Sequence, residues 1–225
     1  MSLASLPGGR RAADADRRER ILEAAEHAFV RHGFHAATMQ HVADEAGMSP
    51  GNLYRYFPSK EAIVEGLCAL DQARRAGSFA AFADLMARNG DLTAAIRKGL
   101  REHLFDKPPE KARMIVEMWA EAGRNPRVAE ITRAIDADVL AGVERLMDAA
   151  KAAGAASPAL DSRFGARFFV TFVAGCFKRI SIEPDFDPEA ETAMAVGVLE
   201  ALFAGALAPI PAPAAAAESK PCAAR

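Results

Sequence analysis

Thr38–Lys60, TMQHVADEAGMSPGNLYRYFPSK, is the stretch on which the reading of this chain turns. It divides into two short helices and a tight turn. The first runs from about Met39 to Ala46, with Val42, Ala43 and Ala46 on its apolar side. Gly47 supplies the turn, where a positive φ suits a residue without a Cβ. Ser49 is a good N-cap, and Pro50 falls at the first helical position, where a missing N–H costs nothing. Leu53 and Phe57 stand four apart and can anchor the second helix to a core. Asn52, Tyr54, Arg55 and Tyr56 then lie on or near its outer face. A helix of about eight residues is roughly 12 Å long, which suits a major groove about 12 Å wide. The stretch reads as a helix-turn-helix whose second helix is the reader.

The flanking residues fit this arrangement. Thr38 can cap the first helix and also offer its hydroxyl to a phosphate. Ser59 can cap a third helix, which puts Lys60 in its first turn, against the macrodipole. Two readings of Lys60 stand side by side. It is a solvated surface lysine, or it holds a phosphate together with the helix N-terminus.

The run T-x-x-x-V-A-x-x-A-G-M-S-x-G-x-L-Y-x-Y-F-x-S-K-E resembles the DNA-binding domain of the tetracycline-repressor (TetR) family. The likeness extends from Ile21 to Leu67 and includes Gly33-Phe34 as well as the motif itself. It implies phosphate contacts for Thr38, Ser49, Tyr54, Tyr56 and Lys60. It brings Pro50, Asn52 and Arg55 to the bases and has Gly51 allow close passage; Arg55 could equally clamp a phosphate. Two positions depart from the family pattern. Met39 stands where a second threonine is common, and His41 stands where a Glu or Gln would close a capping box.

The 225 residues carry 51% hydrophobic and 26% charged side chains and a net charge of −2, enough for a sizeable core in an ordinary soluble composition. The sequence pI of about 6.2 excludes a generically basic nucleic-acid binder. Residues 1–65 hold eight Lys and Arg against nine Asp and Glu. DNA binding must therefore depend on where the positive groups point, with a marked salt dependence. The three cysteines, Cys68, Cys176 and Cys222, form no zinc or redox spacing and suit a reducing cytoplasm. The histidines lack the spacing of a metal site, so no metal is expected. No signal peptide and no membrane helix is expected. No nucleophile elbow, phosphate-cradling glycine loop or metal box is present, so no catalytic residue and no cofactor is assigned.

In chain order, residues 1–13 read as a flexible basic arm. Residues 14–62 form the head, opening with a helix from Asp14 to His32 that Gly33 stops. Arg17, Arg18 and Arg20 at its start read either as DNA-backbone contacts or as a salt-bridged, solvated face. A linker helix follows from Glu61 to about Ala76. The body, residues 63–207, has helical spacing throughout. Its helices are expected at about 78–89, 93–105, 110–123, 126–153, 160–182 and 188–207, punctuated by Asn89-Gly90-Asp91, Pro108-Pro109, Asn125-Pro126 and Asp187-Pro188. The fold class is all-α. Residues 208–225, Pro/Ala-rich, read as a disordered tail.

The body suggests two surfaces. Phe164, Phe168 and Phe172, with Met194, Val198 and Leu202, leave the last two helices apolar around most of their circumference. That predicts a four-helix dimer interface on a two-fold axis. Phe82, Phe105, Met114, Met118 and Trp119 form a soft aromatic set that suits a permissive apolar pocket, although ordinary core accounts for it too. The resemblance implies a small-molecule effector. The expected function is a dimeric repressor on a near-palindromic operator, released by a small apolar or aromatic effector. The alternative is a ligand-independent or corepressor-dependent regulator or activator.

Overall fold

The computed structural model describes residues 7–89 and 91–207, with the backbone alone for residues 7–11, 83 and 85–89. All regular structure among these residues is helical. The order is α1 (Pro7–His32), α2 (Met39–Glu45), α3 (Pro50–Tyr56), α4 (Lys60–Asn89), α5 (Leu92–Leu100) running on into a π-helical turn (Arg101–Phe105), α6 (Pro109–Ala122), α7 (Pro126–Ala152), α8 (Ser162–Ile182) and α9 (Pro188–Phe203).

The helix starts follow the expected punctuation. Asn125 caps α7 and Asp187 caps α9, each with a proline in the first turn behind it. Two expectations fail at α1 and α4. Helix α1 begins at Pro7, so residues 7–13 of the expected arm are helical. Residues 1–6 and the expected tail, 208–225, lie outside the described residues. Helix α4 passes through Gly77 without a break. A glycine inside a helix costs only about 1 kcal/mol, and the long packing of α4 against α7 outweighs it.

There are two cores. The head core gathers Ile21, Leu22, Ala25, Ala28, Phe29, Phe34, Val42, Ala43, Leu53 and Phe57 from α1–α3, with Ile63 and Val64 from α4. It also includes Ile131 of α7, with Met114 and Met118 of α6 packed against it. Residues 14–62 alone therefore do not close the head. The expected boundary at residue 62 falls inside packed core. The body core joins α5, the π-helical turn, α7, α8 and α9 around Ile96, Leu100, Phe105, Val143, Met147, Leu199, Leu202 and Phe203.

Candidate nucleic-acid interface

Helix α3 is short and is held from one side. Ser49 Oγ accepts from Asn52 N–H at 3.3 Å, and Pro50 occupies the first turn. Leu53 is 0% exposed and Phe57 1%. At its end, Arg18 donates to the Tyr56 carbonyl at 3.0 Å while its guanidinium lies 4.4 Å from the Phe57 ring centroid. Arg18 thus braces the reader helix from α1. Of its neighbours, Arg20 is paired with Asp16 at 2.6 Å.

The opposite face of α3 is open. Tyr54 is 49% exposed. Arg55 is exposed and has no hydrogen-bond or ion-pair partner among the described residues. Gly51 is exposed, and a Cβ there would meet nothing within 4 Å, which suits close approach by another backbone. Thr38 and Ser49 are exposed, Pro50 and Asn52 half-buried. Tyr56 is half-buried against the head core, so its ring is only partly available.

Helix α2 carries a surprise at its start. Thr38 Oγ1 accepts from His41 N–H at 3.3 Å, and His41 Nδ1 accepts from Thr38 N–H at 3.3 Å. The histidine therefore closes the capping box that a Glu or Gln was expected to close. Its ring stacks on His32 at 4.1 Å between centroids. Met39 packs against the head core, so the position that departs from the family pattern contributes burial. Between α2 and α3, Gly47 sits at φ 63°, a conformation costly for other residues, and Met48 N–H reaches back to the Ala43 carbonyl at 2.9 Å.

Lys60 needs a correction. Its ammonium donates to the carbonyls of Phe34, His35 and Ala37 at 3.0, 3.2 and 3.4 Å and lies 4.7 Å from the Phe34 ring centroid. An ammonium has three N–H donors, and all three are directed into the α1–α2 loop. Lys60 is a brace of that loop rather than a free phosphate ligand.

The same loop is gripped from the body by α6. Phe34 N–H donates to the Glu117 carboxylate, which also fills the space a Cβ at Gly33 would need, 3.0 Å away. Gly33 itself sits at φ 76°. One turn on, Glu121 meets His35 Nδ1 at 3.2 Å, and Arg124 meets it at 2.9 Å. Hydrogen bonds from Arg124 hold the Glu121 carboxyl below its ordinary range. Nearby, Asn125 donates to Glu61 at 3.2 Å, and Lys111 pairs with Glu26 at 2.8 Å. Glu61 is also lowered, first by the backbone N–H at the start of α4 and then by the Ser59 hydroxyl. The signal in the sequence was the spacing of Glu117, Glu121 and Arg124, which lie three and four apart on one face of α6.

The expected effector residues are not brought together. Phe82 and Phe105 belong to the body core, whereas Met114 and Met118 pack on the head core. Trp119 is edge-on to Phe177 of α8 at 5.9 Å. Their spacing in sequence marked apolar faces but not which core each face meets. A different cleft, of about 360 Å³, lies between α4 and α7 and contains none of the five. Its lining includes Glu65, Cys68, Ala69, Gln72 and Arg75 of α4 and Arg127, Glu130, Ile131, Ala134, Ile135 and Asp138 of α7. Burial pushes the Cys68 thiol up to about 11, so it stays protonated near neutral pH.

The expected dimer residues divide as well. Phe168 is 36% and Met194 49% exposed, and Gly175 and Gly197 are exposed beside them. Phe164, Phe172 and Val198 are half-buried. Leu202 is 0% exposed inside its own chain and cannot reach a partner. Among the described residues no group of three or more His, Cys, Asp or Glu could hold a metal, and no helix is long and apolar enough to cross a membrane.

Comparison with known proteins matches the two parts separately. The profile of "Bacterial regulatory proteins, tetR family" covers residues 21–67, and that of "BetI-type transcriptional repressor, C-terminal" covers residues 91–204. The HTH-type transcriptional regulator UidR of Escherichia coli K12 is 30% identical over 196 residues, 84% of this chain and 92% of that protein. Salmonella enterica GusR superimposes with a TM-score of 0.65 at 26% identity, covering 84% of this chain and 95% of that one. A TetR-family regulator from Rhodococcus sp. gives a TM-score of 0.69 at 21% identity, over 84% and 100% of the two chains. FadR from Bacillus subtilis, solved with stearoyl-CoA, gives 0.65 at 19% identity over 83% and 98%, a likeness of fold alone.

Proposed function

Because the chain belongs to the TetR family of helix-turn-helix transcriptional regulators, we propose that it works as a dimeric repressor on a near-palindromic operator and is released by a small apolar or aromatic effector. The observation that carries this is the division of α3. One face is sealed by Leu53 and Phe57, while Tyr54 and Arg55 stand exposed, Arg55 without a partner. An unpartnered cation on the open face of a helix whose other face is sealed is free to meet a phosphate or a base edge.

In this reading α3 enters the major groove. Pro50, Asn52 and Arg55 approach bases, and Gly51 lets the backbones come close. Thr38, Ser49 and Tyr54 hold phosphates, with Tyr56 contributing what its burial allows. Residues 14–62 remain the DNA-binding unit, although α4, α6 and α7 complete its core; residues 63–207 bind the effector and dimerise. The dimer forms through α8 and α9 around Phe168 and Met194, with Phe164, Phe172 and Val198 at its margin. The two heads then meet successive half-sites about 34 Å apart. The protein acts in the cytoplasm on double-stranded DNA and uses no cofactor. The effector shifts the equilibrium only by binding the DNA-free arrangement more tightly than the DNA-bound one. Contacts from α6 to the α1–α2 loop give that shift a route to the head.

The test is affinity selection from fragmented genomic DNA, with the Tyr54→Phe, Arg55→Ala double variant as control. Enrichment of one or a few palindromic sites by the wild type alone is expected. Equal recovery by the two proteins at moderate salt would remove α3 as the reader.

A further inference from the structure

The cleft between α4 and α7 has a particular chemistry. The two helices run side by side so that Glu65 faces Arg127 at one end and Arg75 faces Asp138 at the other. Between the two ends the lining is Cys68, Ala69, Ile131, Ala134 and Ile135. Ten residues of helix separate Glu65 from Arg75, so the charged ends stand about 15 Å apart along the axis. The volume of about 360 Å³ lies within the usual range of small-molecule sites, about 300–1,000 Å³.

The two ends are not equivalent. Arg127 holds two carboxylates, those of Glu65 and Glu130. Elsewhere in the body, Arg179 holds Glu183 and Glu191, and Arg101 holds Asp106 and Glu189. Arg75 has one carboxylate, Asp138, at a loose 3.9 Å, and its Nε is buried without a hydrogen-bond partner among the described residues. Asp138 is itself bound by Gln72 at 3.0 Å. The acids of the cleft are therefore partnered, and the group left wanting a partner is a cationic donor. The Arg75 side chain keeps 29% of its surface exposed, so guanidinium nitrogens other than the buried Nε can take a second, planar carboxylate.

We propose that this cleft binds a small monocarboxylate with an apolar chain or ring, whose carboxylate takes the second place on Arg75 and whose apolar part lies along Ala69, Ile131, Ala134 and Ile135. The proposal rests on the effector reading above and gives it a place and a chemical class. Occupancy would wedge α4 against α7 beside the head core, which Ile131 and Ile135 also touch.

The experiment is calorimetric titration of the full chain with octanoate and 4-phenylbutyrate, and with their uncharged amides. Wild type, Arg75→Gln and Ala134→Phe are compared; Ala134 is exposed, so the added ring fills the cleft without entering a core. Saturable binding of at least one acid by the wild type is expected. It should be weakened tenfold or more by Arg75→Gln and abolished by Ala134→Phe, while each amide binds wild type and Arg75→Gln alike. No acid binding by the wild type, acid binding indifferent to Arg75→Gln, or amides as tight as acids would overturn the site. Melting curves of both variants show whether they remain folded. If Arg75→Gln unfolds, the amide comparison and Ala134→Phe decide. Affinity for a selected operator, measured with and without the bound acid, separates the two claims. Acid binding that leaves DNA affinity unchanged supports the site and removes its effector role. A site that fails in a chain still binding its operator leaves the repressor reading standing.

Discussion

The head and the body differ in what their best-placed cations hold. In the head the one cation on the reader face, Arg55, is unpaired, while Lys60 and Arg18 are turned inward onto carbonyls. In the body Arg101, Arg127 and Arg179 each bridge two carboxylates, while Arg75 holds Asp138 alone, at a loose 3.9 Å. The contrast teaches that position in a motif does not decide what a cation does. Lys60 closes the most legible stretch of the chain, yet it braces a loop. Arg75 lies in the linker helix, outside any motif, and has one loose carboxylate partner.

The largest effect should come from breaking the body where it meets a second copy. Met194→Asp would bury one uncompensated charge per chain in the proposed interface, at several kcal/mol per ion. Sedimentation should show monomers at micromolar concentration and operator affinity should collapse, while the fold is kept, because Met194 is exposed within its own chain. A stable dimer would move the interface elsewhere.

Next in size is Lys60→Met. Three carbonyls lose their donor, and an unsatisfied polar group costs about 1–3 kcal/mol where water cannot replace the partner. The melting temperature should fall, and DNA binding should weaken with it. An unchanged melting temperature with weakened DNA binding would restore Lys60 as a phosphate ligand and erase the contrast.

The smallest effect is the pH dependence of the contact between α6 and the head. Glu121 and Glu61 both have folded-state values below their ordinary 4.5. A lowered carboxylate contributes stability that is complete above its ordinary value and is lost as pH falls through the lower, folded one. Wild-type stability should therefore decline below about pH 4.5, and Glu61→Gln, Glu121→Gln should flatten that decline. Identical profiles would mean that the two carboxylates carry no net stabilisation.

Much of the head was legible because local rules decide it. Ser49, Pro50, Gly47, Leu53 and Phe57 act within a few residues of one another, and caps, turns and i,i+4 faces are local signals. Lys60 was misread because its partners stand 23 to 26 residues away, at Phe34, His35 and Ala37. His41 was misread for a different reason. A neutral imidazole nitrogen is an acceptor, and it can close a capping box as an amide oxygen does. In the body the helices were legible from Asn125-Pro126 and Asp187-Pro188, but not their partners. Met114, Met118 and Phe105 carry the same apolar signal, and only the packing directs two of them to the head and one to the body. The cleft escaped notice because its lining comes from helices about 60 residues apart, and neither alone looks like a site.

The most direct test is the affinity of Arg55→Ala for a selected operator, measured on the same preparation as its melting curve. The account predicts a loss of about 1–3 kcal/mol, roughly 5- to 150-fold in affinity, with the melting temperature unchanged. Unaltered affinity, or a fall in melting temperature large enough to explain the loss, would contradict the claim that α3 folds on one face and reads DNA with the other.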